Sequence, residues 1–398
     1  MEQLYRGDDM TRRVLLLSSV MLHGYGVSIV ADEWAKELKA FGWDTIIGCI
    51  HQDEKYLRSN IIKVGTDPIE VLDLCQKLKI DLVVAQTTPY FELLPSISAH
   101  YPTIVFEHGD PSPFFFQHDA VEREQIRQNK IKNVYPHVSR VLASSHFLRH
   151  DIEWLTSSVV PLGCDHVADF GFKELPVESG TRPLKIGTLM RLGEGEALYK
   201  GVDLYAQLAD FFKEDPSIEF QIMGRGEESD RQRWESLGVT TFLNSTDEER
   251  STYLRDLDVL FSPSLWEGFN LPVVEAAASG TVGVAFDIGA HPETTLFLVR
   301  DLNDLRVLLE TWIHDRALLS DASRTAYRFA RSKFRWSESA RGLAGHLDEV
   351  LDQRSSALSR GESIPKRVLR VVKREGLVGS TKLIWSKFGV SVSRNRSE

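Results

Sequence analysis

The chain has 398 residues, a length at which two or three domains are expected. Its 42% hydrophobic and 26% charged residues exclude a disordered, collagenous or coiled-coil protein, and three cysteines exclude a disulfide framework and fit a reducing cytoplasm. Charge is uneven: residues 360–398 hold ten Lys/Arg against three Glu, a net +7, which leaves −17 on the remainder of a chain whose total is −10. An acidic body is unsuited to nucleic acid, whereas a basic tail suits an anionic surface.

Near the start, Arg12 and Arg13 precede an apolar run over residues 14–22 that imitates a secretory signal. No small-residue cleavage site follows it, only His23-Gly24-Tyr25-Gly26 and a helical pattern, so residues 14–20 read as a buried first strand. Ile29, Val30, Trp34, Leu38 and Phe41 then give helical spacing over 27–41. Further strands are predicted at 45–49, 82–85, 103–106 and 140–143, with helices at 70–78 and 119–135. Pro, Glu, Ser and Gly break the pattern at 176–183, a linker. The alternation restarts with a strand at 184–189, a helix at 202–212, and strands at 219–223, 241–243, 259–262 and 282–285. Strand–helix alternation implies parallel sheets covered on both faces, and two successive Rossmann-like α/β domains are the economical reading. No stretch reaches the roughly 18 apolar residues a membrane-spanning helix needs.

Open parallel sheets bind ligands beyond the carboxyl ends of their strands, so the loops after Val20, Phe106, Leu189, Met223 and Ser262 are expected around one cleft. Glu267 sits in a glycine-containing loop after a strand, and Glu275 lies eight positions on, near the start of the next helix. A carboxylate so placed accepts hydrogen bonds from adjacent sugar hydroxyls, as a ribose diol presents, and it also serves as an ordinary helix-start carboxylate. Gly268, Phe269, Asn270 and Leu271 lead into that helix, whose N-terminal amides suit a phosphate. Gly24, Gly26 and Gly224 follow strands and permit close backbone approach to a ligand, although a plain tight turn has the same composition. Arg191 and Lys200 are suited to neutralising a diphosphate, one as a fork and the other as a point charge. Asp256-Leu257-Asp258 falls where a helix hands over to a strand, and no Cys/His cluster has ligand spacing, so neither a metal nor another cofactor is expected.

The string from Ser264 to Gly280 closely resembles the glutamate-pair motif of the retaining glycosyltransferases of family 4, and other elements match in order. Met190-Arg191-Leu192 with Lys200-Gly201-Val202-Asp203 resembles that family's diphosphate clamp. Gly289-Ala290-His291-Pro292-Glu293 resembles the loop that approaches the donor sugar, and Ala143-Ser144-Ser145 and Pro161-Leu162-Gly163-Cys164-Asp165 resemble its inter-domain signposts. The resemblance covers about residues 12–350. It implies the GT-B fold: an acceptor-side domain (1–178) and a nucleotide-sugar donor domain (179–335) facing across a cleft, then a closing helix (336–360) and a basic amphipathic tail (361–398). It further implies a catalytic set of His108, Glu267, Arg191 and Lys200, with Glu267 on the donor-sugar hydroxyls and Glu275 on the ribose.

The activity implied by the resemblance is retaining transfer of a sugar from a nucleotide-diphosphate sugar to an acceptor hydroxyl, without a metal. In that chemistry a donor phosphate oxygen takes the acceptor's proton. Three departures stand out: residues 193–199 are inserted before Lys200 and carry Glu194 and Glu196, Ala290 replaces a glycine, and 294–302 lacks the usual glycine turn. On the acceptor side, Pro111-Ser112-Pro113-Phe114-Phe115-Phe116 offers rings for a sugar face or a lipid-linked acceptor, or for the core. In the tail, Val368, Val371 and Val372 oppose Lys366, Arg367, Arg370, Lys373 and Arg374, and Trp385 and Phe388 repeat the mixture. That pattern suits an interfacial helix at the inner face of the membrane, in lipid-linked or surface-polysaccharide assembly, and equally a helix packed on the body. Two other readings of the chain stand beside this one: a non-catalytic nucleotide-sugar-binding scaffold, and a GT-B epimerase or sugar-phosphate synthase.

Overall fold

A computed structural model describes residues 12–53, 56, 60–116, 119–167, 171–176, 182–192 and 197–359. The tail at 361–398, the residues Gly193 to Glu196 and the linker at 177–181 lie outside the described residues.

The first half builds β1 (Arg12–Leu17), β2 (Val20–Met21), β3 (Trp43–Cys49), β4 (His51–Gln52), β5 (Ile61–Lys63), β6 (Leu82–Ala85), β7 (Thr103–Glu107), β8 (Arg140–Ala143) and β9 (Ser158–Val159). Seven of these form one parallel sheet in the order β5-β3-β1-β6-β7-β8-β9, and β2 pairs with β4. β1 lies inside the sheet between β3 and β6, with Val14 aligned to Thr45 and to Leu82, and its apolar run Val14–Leu17 is no more than 1% exposed. Such a run, buried on both faces, is what a central parallel strand requires.

The expected strand 14–20 is interrupted. The Ser18 amide makes the last ladder bond, to Gly48 O at 2.9 Å; Ser18 Oγ then donates to Val20 O at 3.1 Å while the Ser19 amide turns to Thr87 Oγ1 at 2.7 Å. The expected helix 27–41 is α-helical only over Gly26–Glu37, and its end tightens into a 3₁₀ turn over Leu38–Phe41. The helix expected at 119–135 is regular over Ala120–Asn129 and then widens into a π turn over Lys130–Val134, which turns Lys130 inward onto Glu107.

The second half builds β10 (Leu184–Leu189), β11 (Ile218–Gly224), β12 (Thr240–Leu243), β13 (Val259–Ser262), β14 (Val282–Phe286) and β15 (Phe297–Val299), a parallel sheet in the order β12-β11-β10-β13-β14-β15. Asp258 enters β13 as a structural anchor, its carboxylate gripped by Arg182 at 2.5 and 2.6 Å. The helix Trp336–Ser359 returns to the first half. There Trp34 Nε1 donates to Ser339 Oγ and Trp43 Nε1 to Asp348 Oδ1, each at 2.9 Å. Trp34, Trp43 and Trp336 are at most 1% exposed, and each such burial stabilises the joint by about 2–3 kcal/mol. No helix among the described residues is long and apolar enough to cross a membrane.

Candidate active site

The carboxyl ends of the two sheets face each other across a cleft of about 610 Å³. His108, Arg191, Lys200, Gly224, Glu267, Gly268, Phe269, Asn270 and Leu271 line it, together with Gly24 and Gly26 on the first-sheet side.

Lys200 ends the short helix Ala197–Lys200, and Gly201 then takes φ 68° to start the helix Val202–Phe211. A Cβ on Gly201 would stand 2.0 Å from Pro263 O, so only glycine lets Lys200 close onto the loop after β13. The Leu265 amide donates to Tyr199 O at 2.7 Å, and Lys200 Nζ meets Glu267 Oε1 at 2.7 Å. Burial alone would lower the Lys200 pKa, but Glu267 outweighs it and the net shift is upward. Burial would likewise raise Glu267, yet Lys200 holds it below the usual carboxylate range. Both groups are therefore charged in the resting cleft. Arg191 lies over the Tyr25 ring, 5.3 Å from its centre, and Arg225 lies 5.1 Å from the same ring. Asp247 Oδ2 is 3.1 Å from His23 Nδ1, so the loop before the first helix contacts the second sheet's domain.

His108 follows β7 with Nε2 3.0 Å from Gln86 Oε1 and its ring edge-on to Phe106 at 5.0 Å. Burial lowers its pKa to about 3, so the imidazole is neutral throughout the physiological range. The loop is held from beneath by Lys130, whose Nζ lies 2.9 and 3.0 Å from the two Glu107 oxygens and 2.5 Å from Asp110. Tyr135 completes that buried group by donating to Glu107 Oε1 at 2.6 Å.

Gly268 brings the domains together. A Cβ there would be 2.3 Å from His108 O, and Gly268 O accepts from Ser145 Oγ at 2.6 Å and from Ser144 Oγ at 3.3 Å. Phe269, by contrast, serves the core, edge-on to Phe334 at 5.6 Å. Asn270 donates through Nδ2 to Ser262 Oγ and to His291 Nε2, both at 2.7 Å. His291 Nδ1 in turn donates to Phe286 O at 2.8 Å, which fixes the tautomer. Leu271 faces Gly26 across the cleft.

Two parts of the expected site lie off the cleft lining. Glu275 does not face the cleft: it is the fifth residue of the helix Leu271–Ala278, is fully buried, and pairs with Arg250 and His166. Residues 289–293 do not line the cleft either. Ala290 donates its amide to Glu267 O at 3.0 Å, and the Glu293 carboxylate accepts the His146 and Phe147 amides at 2.9 and 2.7 Å. That loop braces Glu267 and clasps a first-turn helix terminus of the opposite domain.

Sequence reasoning missed Arg225 and Arg250, both of which line the cleft. Arg250 precedes Tyr253 and Leu254 by three and four positions, so it shares their inward helix face, and that spacing was the available signal. For Arg225 the signal was its place between Gly224 and Gly226 after a strand. The aromatic loop does approach the site: Phe115 and Phe116 lie 6.3 and 5.9 Å from the Tyr199 ring, whereas Phe114 is 97% exposed.

Residues 186–314 match the family described as glycosyl transferases group 1. A phosphatidyl-myo-inositol mannosyltransferase of Mycolicibacterium smegmatis is 33% identical over 160 residues, 38% of this chain and 40% of that relative. The matched stretch thus spans about two fifths of the relative's length. Among solved structures, sucrose-phosphate synthase from Thermosynechococcus elongatus superposes with a TM-score of 0.68 at 16% identity, over 86% of this chain and 100% of that one. An Anabaena protein solved with UDP and glucose superposes with a TM-score of 0.66 at 15% identity, over 85% and 100%. The fold is therefore GT-B, and the resemblance carried by the motifs is to a family whose model matches the second domain.

Proposed function

We propose that the protein is a glycosyltransferase that moves a sugar from a nucleotide-diphosphate sugar to an acceptor hydroxyl with retention of configuration. The observation that carries the reading is the charged set Arg191, Lys200 and Glu267, held at the ends of β10 and β13 opposite the neutral His108. The group 1 match over residues 186–314 supports it.

The leaving diphosphate gathers negative charge as the bond to the sugar's anomeric carbon breaks. Arg191 and Lys200 stabilise that charge within a partly dry cleft, where each interaction is stronger than in water. Glu267, kept ionised by Lys200, accepts hydrogen bonds from donor-sugar hydroxyls. His108 is a poor base at a pKa of about 3, so its part is orientation and hydrogen bonding beside the reacting carbon. The acceptor oxygen bonds to the anomeric carbon on the face the leaving group vacates, and its proton passes to the departing phosphate oxygen. Trp266 and Tyr199 line the cleft mouth as surfaces for the acceptor. Attachment of residues 361–398 to an anionic leaflet, and a lipid-linked acceptor, belong to the same proposal.

Slow hydrolysis without acceptor tests the reading. Incubated with UDP-, GDP- and ADP-hexoses bearing an α-linked sugar, the protein should release free sugar from one of them as the α-anomer, seen by early-time proton NMR. Release as the β-anomer would overturn retention, and an epimerised donor would favour the epimerase reading.

A further inference from the structure

Gln86 is a buried polar residue with part of its hydrogen-bonding capacity unused. It follows β6 directly, is 1% exposed, and stands at the carboxyl end of the first sheet between β1 and β7. Its backbone is tied to the β1 side: its amide donates to Leu17 O at 2.9 Å, and the next residue, Thr87, accepts the Ser19 amide at 2.7 Å. On the β7 side, Gln86 Oε1 lies 3.0 Å from His108 Nε2. Its Nε2 is buried without a hydrogen-bond partner among the described residues. A leucine of similar size would avoid that unpaired amide, so packing alone does not account for a glutamine here.

What the carboxamide provides is a grip on one ring nitrogen. With Gln86 Oε1 as acceptor, His108 Nε2 carries the ring hydrogen and Nδ1 keeps its lone pair, on a ring that lines the cleft. Phe106 meets that ring edge-on at 5.0 Å, and Gly268 packs against His108 O, so ring and backbone are both held. The charges around the ring are already paired. Glu107 and Asp110, on its own loop, are taken up by Lys130 of the π turn, and Glu267, after β13, by Lys200, while Arg191 lies over Tyr25. A carboxylate at position 86 would favour an imidazolium, whereas a carboxamide of the same shape favours a neutral ring. The distinction matters to the chemistry. As the diphosphate leaves, positive charge gathers at the anomeric carbon, which a neighbouring imidazolium opposes and a lone pair favours.

We propose that Gln86 is a positioning residue for sugar transfer, orienting the His108 ring and presenting its Nδ1 lone pair to the cleft. The inference rests on the glycosyltransferase reading of the site and adds to it a residue outside the cleft lining, which acts through His108 alone.

Donor hydrolysis, nucleotide calorimetry and ring-nitrogen NMR on the wild type, Q86L and Q86E test this, with the His108 signal assigned by its absence from H108N. The wild-type ring should carry its hydrogen on Nε2. Q86L should melt close to the wild type and bind the nucleoside diphosphate within about twofold, since Arg191 and Lys200 are untouched, yet hydrolyse donor about tenfold or more slowly. Q86E keeps the shape and adds a charge. Protonation of His108 should move up by about two units, to near pH 5, and the hydrolysis rate should gain a falling limb there that the wild type lacks. The idea is overturned if Q86L hydrolyses donor at the wild-type rate, if the wild-type ring carries its hydrogen on Nδ1, or if Q86E leaves either the His108 signal or the rate profile unmoved. Should Q86L melt far below the wild type, Q86E and the wild-type tautomer decide. A wild type that hydrolyses no donor defeats the glycosyltransferase reading, and the role in transfer with it. The ring NMR tells the two failures apart, because a tautomer set by Gln86 would survive the loss of that reading.

Discussion

Lys200 and Glu267 form the hinge of the site's electrostatics, each keeping the other ionised at 2.7 Å. Lys200→Met should weaken nucleoside-diphosphate binding about tenfold or more while changing nucleoside-monophosphate binding little, because the lost charge sits at the diphosphate end. Equilibrium titration of both ligand classes checks this. His108 makes a separate prediction through pH. Its folded pKa of about 3 lies below the ordinary value of 6.5, so between those limits the unfolded chain takes up a proton that the folded one refuses. Stability contributed by neutral His108 is complete above pH 6.5 and falls as the pH drops. Against the wild type, His108→Asn should show a shallower loss of unfolding free energy between about pH 6.5 and 5, by at most about 1.4 kcal/mol per unit. Activity should show no inflection near the ordinary histidine pKa that this variant removes. At this scale the sequence revealed residue types better than their surroundings. Glu275 carried the expected motif spacing, but its pairing with Arg250, twenty-five positions earlier, is disclosed only by the packing of two helices.

Short elements, more than long ones, decide how the cleft is assembled. The Gly201 turn positions Lys200, and Gly201→Ala places a Cβ against Pro263 O in a left-handed backbone, at a cost of at least about 2 kcal/mol. The variant should melt lower and lose nucleotide-diphosphate binding, as thermal scans and calorimetry would show. The helix His146–Asp151 depends on a residue from the other domain, since Glu293 accepts two of its first-turn amides. Glu293→Gln should cost about 1 kcal/mol, read by denaturant titration. The central strands β1, β7 and β13 were legible as apolar runs between turn residues, and β10 and β11 as short runs in which apolar residues recur with polar ones between them. The edge strands β5, β9 and β15 were not, being two or three residues long and set by ladder partners rather than by their own pattern. The π turn at Lys130–Val134 was hidden for a similar reason, since it exists to satisfy a buried lysine against Glu107 and Asp110.

Across the molecule, the two-sheet architecture and its facing carboxyl ends were readable from strand–helix alternation alone, because that pattern admits few packings. The joint between the halves was less so. It is built from contacts between distant positions: Gly268 against His108, Ser145 on Gly268, Glu293 on the helix His146–Asp151, and the returning helix Trp336–Ser359 on Trp34 and Trp43. The first three place loops of the second half against the first, so the cleft wall shared by His108 and Glu267 exists only when the halves are joined. The central claim is that this joint encloses a nucleotide-diphosphate site centred on Arg191, Lys200 and Glu267. Calorimetric titration of UDP, GDP and ADP into the full chain and into Lys200→Met tests it most directly. Saturable binding of one of them, weakened about tenfold or more by the substitution, is the predicted result. Binding of none, or binding that the substitution leaves unchanged, would contradict it.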